Sequence, residues 1–195
     1  MAKKKKDREK SVSHGDFLTD VQELRRRARQ HIEDGAVTAG YGADREKVIA
    51  VLNEALATEI VCVLRYKRHY FMATGIHANA VAQEFQEHAA EEQGHADRIA
   101  GRITQLGGEP NFNPEGLATR SHSQYVEGDS LVDMIKEDLV AERIAIESYG
   151  EIVRFLGERD VTTRRMMEEI LQNEEEHADD LRDLLATLDP TQSGQ

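Results

Sequence analysis

Hydrophobic positions repeat at helical spacing along four long segments of the chain. The segments cover about residues 45–74, 78–106, 129–157 and 160–188. Within each of them, apolar residues recur every three or four positions, which places them on a single face of a helix. A helix of about 28 residues is about 42 Å long. The pattern therefore predicts four long amphipathic helices.

The lengths of the connections predict how these helices are arranged. A few residues around Gly75 join the first two helices, and a few around Gly157 join the last two, so each pair forms an antiparallel hairpin. The segment from Gly107 to Gly128 is too long for a hairpin loop and long enough to cross a bundle lengthwise. We therefore predict an all-α, ferritin-like four-helix bundle with one long crossover between helices two and three.

Shorter features are predicted outside the bundle. Residues 1–13 are polar and rich in lysine, so we expect a disordered basic tail. From Asp16, a candidate N-cap, apolar residues at helical spacing predict a separate short helix that ends at Gly35. A glycine-rich linker then leads to Asp44, which can cap the next helix. The remaining predicted boundaries are 14–44 for the short helix and linker, 45–189 for the bundle and 190–195 for a C-terminal tail.

Composition narrows the chemistry that the chain can perform. Cys62 is the only cysteine, which excludes an internal disulfide, a thiolate metal cage and a rubredoxin module. No apolar run is long enough for a membrane span or a secretory signal. We therefore expect a cytoplasmic protein without a membrane partner, in which carboxylate and imidazole groups hold any metal.

Charge is divided unevenly along the chain. The formal net charge is −12, yet residues 1–30 hold ten basic and five acidic residues. An acidic body attracts cations, and a basic arm repeated across an oligomer can contact phosphates. DNA binding by this arm is one interpretation; we favour a solubilising arm or one that pairs with a neighbouring copy. The basic residues are Lys3, Lys4, Lys5, Lys6, Arg8, Lys10, Arg25, Arg26, Arg27 and Arg29.

One arrangement of glutamate and histidine occurs twice. In each hairpin a glutamate on one helical stripe is followed, 32 or 33 residues later, by Glu-x-x-His on the next. Spacing of three residues places the Glu and the His on one side of a helix. Four carboxylates and two imidazoles are the ligand set of di-iron bundles, and they suit iron, with manganese or zinc also possible. The predicted metal ligands are Glu59, Glu92, His95, Glu142, Glu174 and His177.

Neighbouring polar residues have two interpretations. Glu87, His88 and Glu91 are candidates for passing iron inward, and a solvated helix face explains them equally well. A solvated face is the better interpretation for Glu91, Glu175 and Glu176 where direct metal ligation is concerned.

Four segments of the sequence carry a family resemblance: LNEALATEIVCVLRY, EEQGHADRIAGRITQLGGEPN, DLVAER and ILQNEEEHADDL. With them, the chain resembles the bacterioferritin family across about residues 45–188. The resemblance implies that the six residues are the family's ligands, with Glu92 and Glu174 bridging two irons. Tyr66 matches the family's site-adjacent tyrosine, a possible electron donor, although a packed tyrosine with a bonded hydroxyl explains it equally well. The resemblance also implies oxidation of Fe(II) by dioxygen or hydrogen peroxide and storage of ferric mineral in a hollow shell.

The sequence departs from the family pattern at two places. Gln93 occupies the position of the family's haem-ligating methionine, so we expect no haem. Only DPTQSGQ follows the fourth helix, without the fifth helix of 24-subunit shells, which favours a 12-subunit shell like that of DNA-protecting mini-ferritins. Mini-ferritins hold iron between subunits, whereas this sequence specifies a site inside one bundle.

Three functional classes remain open at this point. We favour a ferroxidase that stores and detoxifies iron. A second class is another di-metal enzyme, such as a manganese catalase, a peroxidase or a hydroxylase. The third is a DNA-compacting or DNA-protecting protein in which metals are structural.

Overall fold

The computed structural model describes residues 20–76 and 78–188, and this part of the chain contains helices and irregular segments without a β-strand. The chain divides after Gly40 into two compact units. In the first unit, the described residues form helix α1 (Val21–Arg27) and a 3₁₀ helix (Ile32–Asp34). The helices of the second unit are α2 (Arg45–Met72), α3 (Ala78–Gln105), α4 (Leu117–Arg120), α5 (Leu131–Leu156) and α6 (Val161–Leu188).

Four long helices of the second unit form the predicted bundle. Helix α2 packs against α3 and α5 packs against α6, and the two hairpins meet through α2 with α5 and α3 with α6. The ends of these helices lie within two residues of the predicted ends. The prediction of an all-α, ferritin-like bundle is confirmed. Across the described ranges, no helix combines the length and apolar character that a bilayer crossing requires.

Local sequence sets the ends of these helices. Asp44, Ser130 and Asp160 each accept a hydrogen bond from the backbone amide three residues further on, which satisfies a donor that the first helical turn leaves unpaired. Helix α5 ends at Gly157, whose φ of +50° is a conformation that other residues adopt at a cost. These caps thus fix where α2, α5 and α6 begin and where α5 ends.

The N-terminal helix is shorter than predicted. It begins after Asp20, which accepts two backbone hydrogen bonds, and it ends at Arg27 instead of continuing to Gly35. His31 has a left-handed φ of 49°, which interrupts an α-helix. The helix buries no side chain, so it lacks the packing that stabilises longer helices. The predicted cap Asp16 lies outside the described residues.

The predicted basic arm is described only in part. Its segment at 1–13 lies outside the described residues, as does the predicted tail at 190–195. In α1, Arg26 and Arg27 both pair with Glu23 of their own helix. DNA binding by the arm stays an untested interpretation.

The crossover between α3 and α5 runs along α2, as predicted. At one end, the Asn53 side chain donates to the carbonyl of Glu109 at 3.3 Å and accepts from the amide of Asn111 at 2.7 Å. Towards the other end, Arg68 donates to the carbonyl of Glu127 at 2.8 Å. Helix α4, a single helical turn within this connection, is not predicted by the sequence pattern.

A buried ionic network ties the crossover to both hairpins. The Arg65 guanidinium donates to a carboxylate oxygen of Asp138 at 2.7 Å, and His69 Nδ1 lies 2.8 Å from the other oxygen. Arg65 also donates to the Ser123 hydroxyl at 3.1 Å and the Gln124 carbonyl at 2.9 Å. Side chains from α2, α5 and the crossover thereby hold one another in place without contact with water.

Substitution of Asp138 by asparagine leaves the Arg65 charge buried without a counter-charge. We expect Asp138→Asn to lower the free energy of unfolding by about 3–5 kcal/mol, measured by urea denaturation. The matched control is Glu147→Gln, which makes the same change at an exposed position of α5 and should have little effect. Equal losses in the two variants would contradict the expectation.

Candidate dinuclear metal centre

The six predicted ligand residues meet in the interior of the bundle. Helices α2 and α5 each contribute one glutamate, and α3 and α6 each contribute a Glu-x-x-His pair. Each Glu and its His lie one helical turn apart on the buried face. All six side chains are buried, and their ligand atoms form two groups that share two members. They are Glu59, Glu92, His95, Glu142, Glu174 and His177.

The first group surrounds the imidazole of His95. Its Nδ1 atom lies 3.0 Å from Glu174 Oε1, 3.5 Å from Glu59 Oε2 and 3.6 Å from Glu92 Oε2. Three carboxylates from α2, α3 and α6 thus approach one ring nitrogen. The arrangement offers three oxygens and one nitrogen to a single cation.

The second group surrounds the imidazole of His177. Its Nδ1 atom lies 3.5 Å from Glu92 Oε1, 3.6 Å from Glu174 Oε2 and 3.9 Å from Glu142 Oε2. Glu92 and Glu174 therefore present one oxygen to each group, whereas Glu59 and Glu142 each belong to one. This division is the one expected of two bridging and two terminal carboxylates.

The hydrogen bonding of these atoms tests whether a pair of cations fits. Although the atoms lie close together, seven of them are buried and have no hydrogen-bond partner. A buried polar atom left unpaired costs about 1–3 kcal/mol, and the cost disappears when the lone pairs bind a cation. Oxygen and imidazole donors suit iron or manganese. The seven atoms are Glu59 Oε2, Glu92 Oε1, His95 Nδ1, Glu142 Oε2, Glu174 Oε1, Glu174 Oε2 and His177 Nδ1.

The pKa values of the ligand residues also indicate that the centre binds positive charge. Burial raises the pKa of Glu59 and of Glu142, and the negative charges of Glu92 and Glu174 raise both further. Burial alone lowers the pKa of His177, but the surrounding carboxylates outweigh it and raise that pKa to about 12. The centre thus attracts cations strongly, whether protons or metal ions.

Two tyrosines orient the terminal carboxylates across the bundle. Tyr66 of the first hairpin donates its hydroxyl hydrogen bond to Glu142 Oε1, and Tyr149 of the second donates to Glu59 Oε1. Burial raises the pKa of both phenols, so each retains its proton. The second oxygen of each carboxylate is left facing the centre. Tyr66 is a residue predicted from the sequence and Tyr149 is not, although each tyrosine follows a predicted ligand glutamate by seven residues.

The outer nitrogens of the two histidines are also occupied. Glu91 Oε2 lies 2.6 Å from His177 Nε2, and Asn173 Oδ1 lies 3.4 Å from His95 Nε2. An acceptor on Nε2 keeps a proton there and turns Nδ1 towards the centre, where a metal ion that displaces the Nδ1 proton would bind. Glu91, interpreted from the sequence as part of a solvated face, therefore orients a predicted ligand without joining the central groups.

His88 lies directly behind the centre. Its ring stacks on that of His177 at a centroid distance of 4.0 Å, and its Nδ1 lies 3.2 Å from the Tyr66 oxygen. Burial, reinforced by the His177 charge, lowers the pKa of His88 to about 3. Since the Tyr66 hydroxyl already donates to Glu142, its oxygen accepts from His88, and the single proton of the neutral ring lies on Nδ1.

Comparison with known proteins places this bundle in a family. The family model for the ferritin-like domain matches residues 49–190. The chain belongs to the ferritin-like family. Within it, a bacterioferritin of Brucella melitensis is 34% identical over 155 residues, which cover 76% of this chain and 91% of that protein.

Solved structures of relatives share the fold of this ferritin-like chain. The bacterioferritin-related protein of Bacteroides fragilis, described as a dodecameric thioferritin, is 33% identical with a TM-score of 0.74, covering 77% of this chain and 90% of that one. The bacterioferritin of Desulfovibrio desulfuricans, described with its diiron site in different catalytic states, is 28% identical with a TM-score of 0.65, covering 73% and 80%. The predicted resemblance to bacterioferritins is confirmed.

Replacement of one terminal carboxylate should separate folding from metal binding. In chelator-treated protein, Glu59→Gln removes a buried carboxyl group whose ionised form is disfavoured by burial. We therefore expect a free energy of unfolding at or above that of the wild type. Wild-type protein should gain about 2.7 kcal/mol for each bound Mn(II) ion at a hundredfold excess over its Kd, or about 5.4 kcal/mol for two ions. At the same Mn(II) concentration the variant should gain much less. Thermal denaturation with and without the cation measures both effects.

Glu46→Gln is the matched control, because it makes the same change at an exposed position of α2. It should gain as much stability from Mn(II) as the wild type. If Glu59→Gln gains as much as this control, Glu59 does not bind the cation.

Proposed function

We propose that this ferritin-like chain is a ferroxidase that stores and detoxifies iron. The observation that carries the proposal is the pair of buried groups that share Glu92 and Glu174 while seven of their ligand atoms lack hydrogen-bond partners. A structural salt bridge would pair each imidazole with one carboxylate. Here three carboxylate oxygens lie 3.0–3.9 Å from each Nδ1, so negative charge is in excess, as expected of a site for two closely spaced cations.

In the proposed site, two Fe(II) ions are the substrates. Glu92 and Glu174 bridge them, Glu59 and His95 bind one ion, and Glu142 and His177 bind the other. Each bound Fe(II) gives up one electron, so one turnover reduces dioxygen with two protons to hydrogen peroxide, or hydrogen peroxide with two protons to two waters. The list of metal ligands thus equals the six residues named from the sequence.

The surrounding residues keep the ligands ready for binding. Tyr66 and Tyr149 fix the terminal carboxylates, while Glu91 and Asn173 fix the histidine rings. Because their hydrogen bonds are already in place, binding requires little rearrangement of the protein. Burial of the centre also excludes bulk water from the reacting metals.

The comparisons support this function at the level of the family. The Desulfovibrio desulfuricans relative is described with a diiron site in different catalytic states, and this chain has the same fold. We propose iron as the physiological metal, with manganese or zinc able to occupy the site in purified protein. We propose no haem, since Gln93 donates its side-chain amide to Asp97 and offers no thioether.

Loss of one bridging carboxylate should abolish most of the activity. We expect wild-type protein to oxidise Fe(II) faster than buffer does. The initial rate of Glu92→Gln should be more than about tenfold lower than that of the wild type. Glu175→Gln, an exposed change on α6, should retain the wild-type rate. Stopped-flow absorbance with dioxygen and with hydrogen peroxide measures the rates and identifies the preferred oxidant. A wild-type rate equal to that of buffer would overturn the proposed function.

We propose that Tyr66 supplies the second electron when only one Fe(II) is available: one Fe(II), Tyr66 with its hydroxyl proton, and one further proton then reduce hydrogen peroxide to two waters. Its hydroxyl has a carboxylate that accepts its proton, Glu142, and an imidazole N–H from His88 that stabilises the oxygen left behind. We expect a transient tyrosyl radical during Fe(II) oxidation that is lost in Tyr66→Phe and retained in Tyr149→Phe. Rapid-freeze electron paramagnetic resonance makes the measurement. A radical that survives Tyr66→Phe would limit Tyr66 to positioning Glu142.

We propose a hollow shell of twelve copies as the storage assembly. The relative from Bacteroides fragilis is described as dodecameric, and this chain matches most of its length. Native mass spectrometry should give a particle of about twelve times the 22.0 kDa of one chain, and iron loading should increase its mass further. A particle of twenty-four chains would contradict the proposed assembly while leaving the centre unaffected.

A further inference from the structure

A third group of ligand-type side chains lies outside the dinuclear centre. Glu84 and His88 lie one turn apart on α3, and Asp180 approaches them from α6. His88 Nε2 is 3.4 Å from Glu84 Oε1 and 3.9 Å from Asp180 Oδ2. None of these residues belongs to the six predicted ligands.

The position of the His88 ring makes Nε2 available to this group. His88 is 98% buried, and its Nδ1 lies 3.2 Å from the Tyr66 oxygen. Nε2, on the other side of the ring, faces one carboxylate oxygen of Glu84 and one of Asp180. In the tautomer with its proton on Nδ1, the ring directs a lone pair towards these two oxygens. Three electron-pair donors that face one another repel unless a cation lies between them.

We propose that Glu84, His88 and Asp180 form a third divalent-cation site next to the dinuclear centre. One imidazole nitrogen and two carboxylate oxygens suit a first-row divalent metal ion such as Fe(II), Mn(II), Co(II) or Zn(II). The remaining coordination positions are available to water, because the Asp180 side chain is 57% exposed.

The internal repeat of the chain provides a comparison for this site. His88 precedes the ligand glutamate of α3, Glu92, by four residues, and Ile170 holds the corresponding position before Glu174 of α6. Ile170 is fully buried and cannot bind a metal. The near-twofold arrangement of the six central ligands thus has a polar side chain behind it on one side only. The proposed third site makes use of that asymmetry.

The location of the third site indicates its role. Glu84 and Asp180 reach solvent, whereas His88 stacks on His177 and bonds to Tyr66. An ion held here keeps access to water through Asp180 and Glu84, and the His88 ring that would bind it stacks on the predicted ligand His177. We assign it the role of a staging position for Fe(II), a role that rests on the proposed ferroxidase function, although the existence of the site does not.

Cobalt binding tests the existence of the site without any redox reaction. Chelator-treated, full-length protein is titrated with Co(II) in a calorimeter, and we expect three equivalents per chain. The double variant Glu84→Gln/Asp180→Asn should bind two. Glu175→Gln, which removes one exposed carboxylate from α6, should still bind three. Two equivalents in the wild type, or three in the double variant, would overturn the proposal.

Two further measurements distinguish loss of the third site from misfolding of the variant and from binding of Co(II) elsewhere on the surface. Asp180→Asn alone changes an exposed side chain, and it should weaken the third equivalent about tenfold without a change in thermal stability. In crystals soaked with Co(II), the anomalous signal should show a peak beside His88 Nε2 in the wild type. Absence of that peak while both central positions are filled would overturn the site.

The staging role has a separate test. At Fe(II) concentrations below saturation, the double variant should oxidise iron several-fold more slowly than Glu175→Gln, and the difference should shrink at saturation. Equal rates at low Fe(II) would overturn the role. If three Co(II) ions bind but wild-type protein fails to oxidise Fe(II), the ferroxidase proposal fails and the third site survives.

Discussion

Four carboxylates buried in one small volume impose the strongest constraint on this molecule. Their mutual repulsion and lost hydration oppose folding unless positive charge lies among them. The rest of the bundle holds the four carboxylates together despite this cost. Apolar stripes on α2, α3, α5 and α6 bury the glutamates, and Nδ1 of each ligand histidine faces inward. The bundle thus holds an excess of buried negative charge that bound cations would neutralise.

Polar groups outside the centre also fix the positions of the helices and of the terminal carboxylates. The Arg65–Asp138–His69 network joins the crossover to both hairpins, so it fixes α2 relative to α5. Tyr66 and Tyr149 cross between the hairpins to the terminal carboxylates. These interactions are directional, whereas apolar packing alone would tolerate small shifts of the helices. Small displacements matter here, because ligands shared by two cations must satisfy both at once.

Helical periodicity and spacing were enough to predict the fold and the convergence of six side chains. Both follow from distances along one helix or across a short hairpin, which a sequence records directly. The partners of those side chains depend on contacts between helices distant in sequence, so Glu91, Asn173 and Tyr149 were not identified as orienting residues. The predicted N-terminal helix is longer than the observed one, because a local pattern carries no information on whether the apolar face of a helix packs against another element.

The sharing of ligands between the hairpins has a consequence for chains that are not fully folded. Neither hairpin holds a complete metal position: the group around His95 needs Glu174 from the second hairpin, and the group around His177 needs Glu92 from the first. Newly made or damaged chains in which the hairpins have separated therefore lose both positions for a cation. The two positions exist only in chains whose hairpins have docked.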